Sequence, residues 1–267
     1  MTRPLLIGTV FLAWTSCNNS DNSLGTAVKT TVPAHSFKAK TENKKENYRD
    51  SLLKTIPKNP SAVFGYRFII KGDFNGDGKT ETLTEHFFSG KDKKETNKFY
   101  DSLDFNQLVI LTVDKDPISF VSCDSKKTDT LFIHSGGQLL GLSFLKNEGD
   151  LDGDGGDEIS YVINWADWSS LNTCHLMTFK NNKWQELYSF GIWDWQLPDL
   201  PETFNEYGLF GLQDKIINTK NDTVNQRLAK ELNNFPGFIK KIKNNKFQLR
   251  FRNDEAMEDT AVVDLKK

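Results

Sequence analysis

The sequence predicts an all-β domain of repeated antiparallel four-stranded units, behind an N-terminal segment of different character. Three observations predict this fold. Short alternating or β-branched runs are broken by Gly, Asn and Asp at roughly the eight-to-twelve-residue spacing of all-β folds. A tight-turn segment recurs nearly residue for residue, and an acidic, glycine-rich loop occurs twice with one spacing. Composition agrees: 267 residues, 37% hydrophobic and 26% charged, suit a folded chain with a sizeable core. With 34 Lys and Arg against 36 Asp and Glu, nothing favours binding a phosphate backbone, and no nucleic-acid partner is expected.

Residues 1–17 read MTRPLLIGTVFLAWTSC. One cation, Arg3, precedes an apolar run from Leu5 to Trp14, too short to span a bilayer but suited to a secretory signal. Thr15 and Ser16 then lead into Cys17, and the polar run CNNSDNS follows. This arrangement resembles a bacterial lipobox and implies lipidation of Cys17, export, and an outer-membrane or cell-surface location with the membrane as partner. The alternative is an ordinary cleaved signal. Cys123 and Cys174 remain; an export route permits them to pair, although two free thiols are the simpler expectation.

Residues 18–60 hold eight Lys and Arg, four Asp and Glu, and only Phe37 and Tyr48 as aromatics. Such a segment buries too little apolar area to offset chain entropy, and reads as a disordered polar tether with a short helix near 47–56. Residues 61–267 hold 28 of the 32 aromatics, and 25 cations against 32 carboxylates. They form the expected domain. Its expected strands are 64–71, 81–88, 107–113, 118–123, 139–146, 158–164, 173–179 and 184–190, then 238–242, 246–252 and 260–265. Hairpins are expected at 111–117, 178–184 and 241–247, the last two reading TFKNNKW and KIKNNKF. One helix is expected over 223–232, with Thr223 as its N-cap.

The loops GDFNGDGKTETL and GDLDGDGGDEIS begin at Gly72 and Gly149, so Asp73 and Asp150 lie 77 positions apart. Both follow D-x-[DN]-x-D-G-x-x-E. Oxygens at positions 1, 3 and 5 converge when the backbone curls, and Gly at position 6 allows the turn. Candidate ligands are Asp73, Asn75, Asp77, the Lys79 carbonyl and Glu81, then Asp150, Asp152, Asp154, the Gly156 carbonyl and Glu158. An all-oxygen set suits Ca²⁺ at two sites, where Zn²⁺ would call for His or Cys. Eight carboxylates crowd into these loops if Asp157 is included, and such clustering is destabilising without a cation. The plainer alternative is a pair of solvated Asp/Gly turns. An EF-hand does not fit, since no helices flank the loops and position 12 supplies no ligand.

With strands on either side, these loops resemble the FG-GAP (VCBS-like, integrin α-like) repeat family. Phe64-Gly65 resembles that family's Phe-Gly pair, with Leu140-Gly141 as its degenerate counterpart. The resemblance covers residues 64–190 and implies propeller blades with a calcium loop between the first two strands. The Gly-Ala-Pro signature is missing, and 207 residues supply too few blades for a full propeller, so a partial stack is expected.

Other chemistry finds little support. Gly78-Lys79-Thr80 imitates the end of a P-loop, but Asp73 occupies the required upstream Gly. There is no G-x-S-x-G, H-E-x-x-H or C-x-x-C, and no catalytic residues are assigned. Trp165, Trp168, Trp193 and Trp195, beside Asp167 and Asp194, either cap the sheet core or form a sugar-binding platform. Two function classes follow: a membrane-anchored, calcium-binding, non-enzymatic binding or scaffold module with a protein ligand, or a glycan-binding or polysaccharide-cleaving protein.

Overall fold

Among the described residues three antiparallel sheets follow one another along the chain, because each run of strands alternates apolar and polar residues and ends in a turn that returns it beside the last. A computed structural model describes residues 47–198 and 230–265, apart from 61, 63, 64, 101, 231, 233 and 256. Cys17, Phe64 and residues 223–229 of the expected helix lie outside the described residues; Lys230 and Leu232, at its end, are helical. The chain divides into Met1–Lys45, outside the described residues, and Glu46–Lys267, to which all that follows belongs.

The first sheet contains β1 (Ile69–Gly72), β2 (Glu81–Ser89), the short β3 (Lys94–Glu95), β4 (Pro117–Cys123) and β5 (Leu131–Ser135). Its order is β1-β2-β4-β5, with β3 paired to the end of β2. The second contains β6 (Leu139–Gly149), β7 (Glu158–Trp165), β8 (Leu171–Lys180) and β9 (Lys183–Trp193) in chain order, and the third β10 (Ile239–Lys243), β11 (Lys246–Arg252) and β12 (Glu258–Asp264). All neighbours are antiparallel. Each sheet is open, and no barrel or propeller closes among the described residues.

Among the described residues, the helices α1 (Tyr48–Thr55) and α2 (Phe105–Lys115) accompany them. The first matches the helix expected near 47–56, capped by the Asn47 side chain. The second corrects the expected strand 107–113 and the expected hairpin 111–117. Asp104 and Gln107 form a reciprocal capping box, and the helix ends on Asp116 in the left-handed region at φ 48°. The place of that strand is taken by β5, a segment outside the expected strands.

Sheet layering explains the burial patterns. In β2 alternate residues are buried, as in a strand with one covered face. In β7 every residue from Glu158 to Ile163 is buried, because the second sheet is covered on both faces. Leu142, Leu145, Ile159, Tyr161 and Met177 pack against Leu83, Phe87, Val121 and Ile133 of the first sheet. On the opposite face Phe144, Val162, Leu176, Phe190 and Ile192 pack against Phe238, Ile239, Phe247 and Leu249 of the third.

Candidate metal centre

Both acidic loops occupy the same place, between the first and second strands of their sheets, the first five-stranded and the second four-stranded: 73–80 joins β1 to β2, and 150–157 joins β6 to β7. Their internal hydrogen bonds correspond closely, differing in one amide held by the first Asp. The first Asp caps loop amides: Asp73 accepts from the N–H groups of Asp77 at 3.0 Å and Gly78 at 2.7 Å, and Asp150 from those of Gly153 at 2.5 Å and Gly155 at 3.2 Å. The position-3 oxygen accepts from the position-5 amide, at 3.0 Å for Asn75 and 3.1 Å for Asp152. The position-5 carboxylate accepts from the position-7 amide, Lys79 at 3.1 Å and Gly156 at 3.0 Å. The ninth residue reaches back to the second, with Glu81 accepting from Phe74 N–H and Glu158 from Leu151 N–H. Gly78 and Gly155, at position 6, take φ of 79° and 98°, a region that costs side chains energy and glycine little.

The loops also touch. Asp157 N–H donates to the Asp73 carbonyl at 2.7 Å, and Asp73 N–H donates to Asp157 Oδ2 at 3.0 Å. Beyond the second loop sits the β10–β11 turn: Asn245 N–H donates to the Leu151 carbonyl at 2.8 Å, its side-chain amide to the Asp152 carbonyl, and the Lys241 ammonium to the Asp150 carbonyl.

The two loops differ as cation sites. In the second, oxygens of Asp150, Asp152 and Glu158 all lie within 4.8 Å of one another, an arrangement that can hold a metal ion. Glu158 is 0% exposed, and its Oε1 accepts no hydrogen bond. Burial pushes its carboxyl up to about 7, against the opposing pulls of the Leu151 amide and of the Thr178 hydroxyl, which lies near the carboxylate without hydrogen-bond geometry to Oε1. A buried carboxylate oxygen without a partner is costly unless a cation reaches it. The donor set therefore fits a metal. In the first loop the corresponding Glu81 is already satisfied: the Thr128 hydroxyl donates to its Oε1 at 2.8 Å, and the Asn75 side-chain amide donates to the same oxygen. Asn75 thus presents its nitrogen to Glu81 while its oxygen holds the Asp77 amide. Of the residues expected to gather, the described structure brings together three in the second loop.

Two lysines that the sequence reading passed over attach to these loops. Lys127, on the β4–β5 connection, pairs with Asp77 Oδ2 at 2.7 Å. Lys180, the last residue of β8, pairs with Asp152 Oδ2 and, at 3.0 Å, with Asp154 Oδ2. Burial alone would raise Asp154, but the Gly156 amide and Lys180 hold its carboxyl below the ordinary value. The available signal was position: each lysine precedes or occupies the connection between the last two strands of its sheet.

The tryptophans lie at the opposite end of the second sheet, where β7 and β9 finish. Trp168 is 83% exposed and rests on Phe105 of α2, with ring centroids 4.1 Å apart. Trp195 is 63% exposed and stacks on the half-buried Trp193 at 4.2 Å, with 18° between the rings. Trp165 packs edge-on against His134. Sequence reasoning also missed a chain on the first sheet in which His86 bonds Glu95 through Nδ1 and Ser122 through Nε2, both at 2.8 Å. Arg67 donates to the same Glu95 at 3.1 Å, so this carboxylate has its own cation and the chain ties β2, β3 and β4 together. Both Cys123 and Cys174 are free thiols.

Comparison of the chain with protein-family profiles, with curated proteins and with solved structures returned no match.

Proposed function

We propose that this chain is a membrane-anchored, calcium-binding, non-enzymatic module of a cell envelope, in which Ca²⁺ pins the loops of stacked blade-like units of the FG-GAP kind. One observation carries the reading: the buried Glu158 carboxylate, whose Oε1 accepts no hydrogen bond, has an oxygen within 4.8 Å of oxygens of Asp150 and Asp152. The matched hydrogen bonds of the two loops support the repeat. Carboxylate and carbonyl donors select a hard cation, and the flexible coordination of Ca²⁺ suits a curled loop better than the strict octahedron of Mg²⁺. Asp150, Asp152, Asp154 and Glu158 would hold the ion in the second loop. Asp73, Asp77 and Glu81 would hold a second, weaker one after the Asn75 side chain turns its oxygen inward. Bound calcium supplies the positive charge these carboxylates lack and ties β6 to β7. The reading places Cys17 in the membrane through acyl chains, with the segment to residue 60 as spacer.

The test is a melting curve of the metal-stripped chain with and without Ca²⁺, paired with membrane fractionation of Cys17→Ser. Calcium should raise the melting temperature of wild type, as a ligand of the native state does, and leave Glu158→Gln nearly unmoved. Cys17→Ser should leave the membrane fraction while keeping the calcium response. A wild-type curve indifferent to calcium sinks the metal reading, and a Cys17→Ser chain that stays with membranes sinks the anchor.

A second reading is supported by Trp195, whose exposed indole stacks on Trp193 next to Asp194, a flat apolar face with a neighbouring acceptor that suits a sugar ring. A glycan array probed with wild type and Trp195→Ala decides it. Binding that Trp195→Ala loses favours this reading, and identical profiles remove it.

A further inference from the structure

Lys180 closes β8 immediately before the turn Asn181-Asn182, whose residues sit at φ 53° and 58°. The strand and its mirror-type turn therefore fix where the lysine stem starts. Its ammonium lies on Asp152 Oδ2 and Asp154 Oδ2, the side chains at positions 3 and 5 of the second loop. The Asp152 side chain is only 5% exposed, so it needs a counter-charge; that of Lys180 is 34% exposed, so the ammonium has a short path into water. Asp150 holds loop amides, and Glu158 Oε1 holds nothing. The carboxylates thus divide: one pair is neutralised by the lysine, while Asp150 and Glu158 stay open to an incoming ion.

We propose that Lys180 is a tethered counter-cation that occupies half of the second loop's carboxylates when metal is absent and must be displaced for Ca²⁺ to bind. This rests on the calcium reading of that loop. An ammonium has only donors to offer and repels a divalent ion at ligand distance, so the two cannot share Asp152. The lysine keeps the empty loop folded and weakens calcium binding, so the site fills only where calcium is abundant. The first loop repeats the device independently, with Lys127 on Asp77 Oδ2 from the equivalent strand connection.

The experiment is calorimetric titration of Ca²⁺ into the metal-stripped whole chain, with melting curves of the same samples, for wild type, Lys180→Met and Lys180→Arg. Methionine keeps the stem and removes the charge. Lys180→Met should bind calcium about tenfold more tightly than wild type, and its metal-free form should melt at a lower temperature. Lys180→Arg should keep the wild-type affinity to within a few-fold. The tightening must vanish in Asp152→Asn/Lys180→Met, which assigns it to the second loop. Equal affinities in wild type and Lys180→Met overturn the tethered cation and leave the calcium reading standing. Binding by Lys180→Met alone supports the inference and removes calcium binding from the native chain. Absence of binding in both overturns both.

Discussion

Lys98 and Glu85 form an ion pair at 2.6 Å with side chains 2% and 0% exposed. Glu85 on β2 also accepts the N–H of Phe68 at 3.0 Å and of Leu142 at 2.8 Å, while Lys98 donates to the Leu142 carbonyl at 3.1 Å. The pair therefore joins the first sheet to β6 of the second. Removing one partner from such a pair leaves an uncompensated buried charge and costs about 3–5 kcal/mol. Lys98→Met should lower stability by that amount in urea titrations. Burial depresses the Lys98 ammonium to about 8 even though Glu85 pulls it upward. Between about pH 8 and the unfolded value of about 10.4, the unfolded chain holds a proton that the fold releases, so this group adds stability as pH rises. Buried Tyr161 and Cys174 are pushed up and act in the opposite direction once unfolded thiols and phenols ionise. Comparison with Lys98→Met removes those shared contributions. The wild-type advantage should grow by about 1 kcal/mol from pH 7.5 to 9, and a flat difference would refute the depressed ammonium.

At the scale of elements, what was legible depended on whether the signal was local. The acidic loops were readable because their carboxylates and the position-6 glycines follow one another in the chain. So was the turn at Asn181-Asn182, where both residues take the positive φ that Asn tolerates. The strand expected at 107–113 failed because Leu108, Val109, Ile110 and Val113 look β-prone, while the competing signal, Asp104 three residues before Gln107, is a helix-capping pair. Contacts distant in sequence complete α2: Gln107 donates to the Thr55 hydroxyl of α1 at 3.1 Å, and Arg49 pairs with Asp114 at 3.3 Å. That one misreading hid β5, since a unit already filled with four strands left no place for Leu131–Ser135, despite its alternating burial. The inequality of the loops was not readable at all. It turns on the Thr128 hydroxyl reaching Glu81 from 47 residues away.

For the molecule as a whole, the second sheet is the shared layer. Each of its faces is buried by a different neighbour, so neither outer sheet can leave without exposing a row of large side chains to water. The loops add to this coupling, as Asp73 bonds Asp157 and the β10–β11 turn bonds the second loop. Such a stack should unfold in one step although its outer sheets share no core cluster. Phe87 of the first sheet and Phe247 of the third, 2% and 0% exposed, test this. Replacing either by Ala removes a buried ring and leaves a cavity, at a cost of about 3–5 kcal/mol. If the layers form one cooperative unit, Phe87→Ala and Phe247→Ala should each shift a single urea transition seen equally by fluorescence and circular dichroism. Their costs should add in the double variant to within about 0.5 kcal/mol, because the two sites share no partners. Should either variant split the curve into two transitions, the second sheet would not be transmitting stability between its neighbours, and the chain would be two folding units joined at that layer.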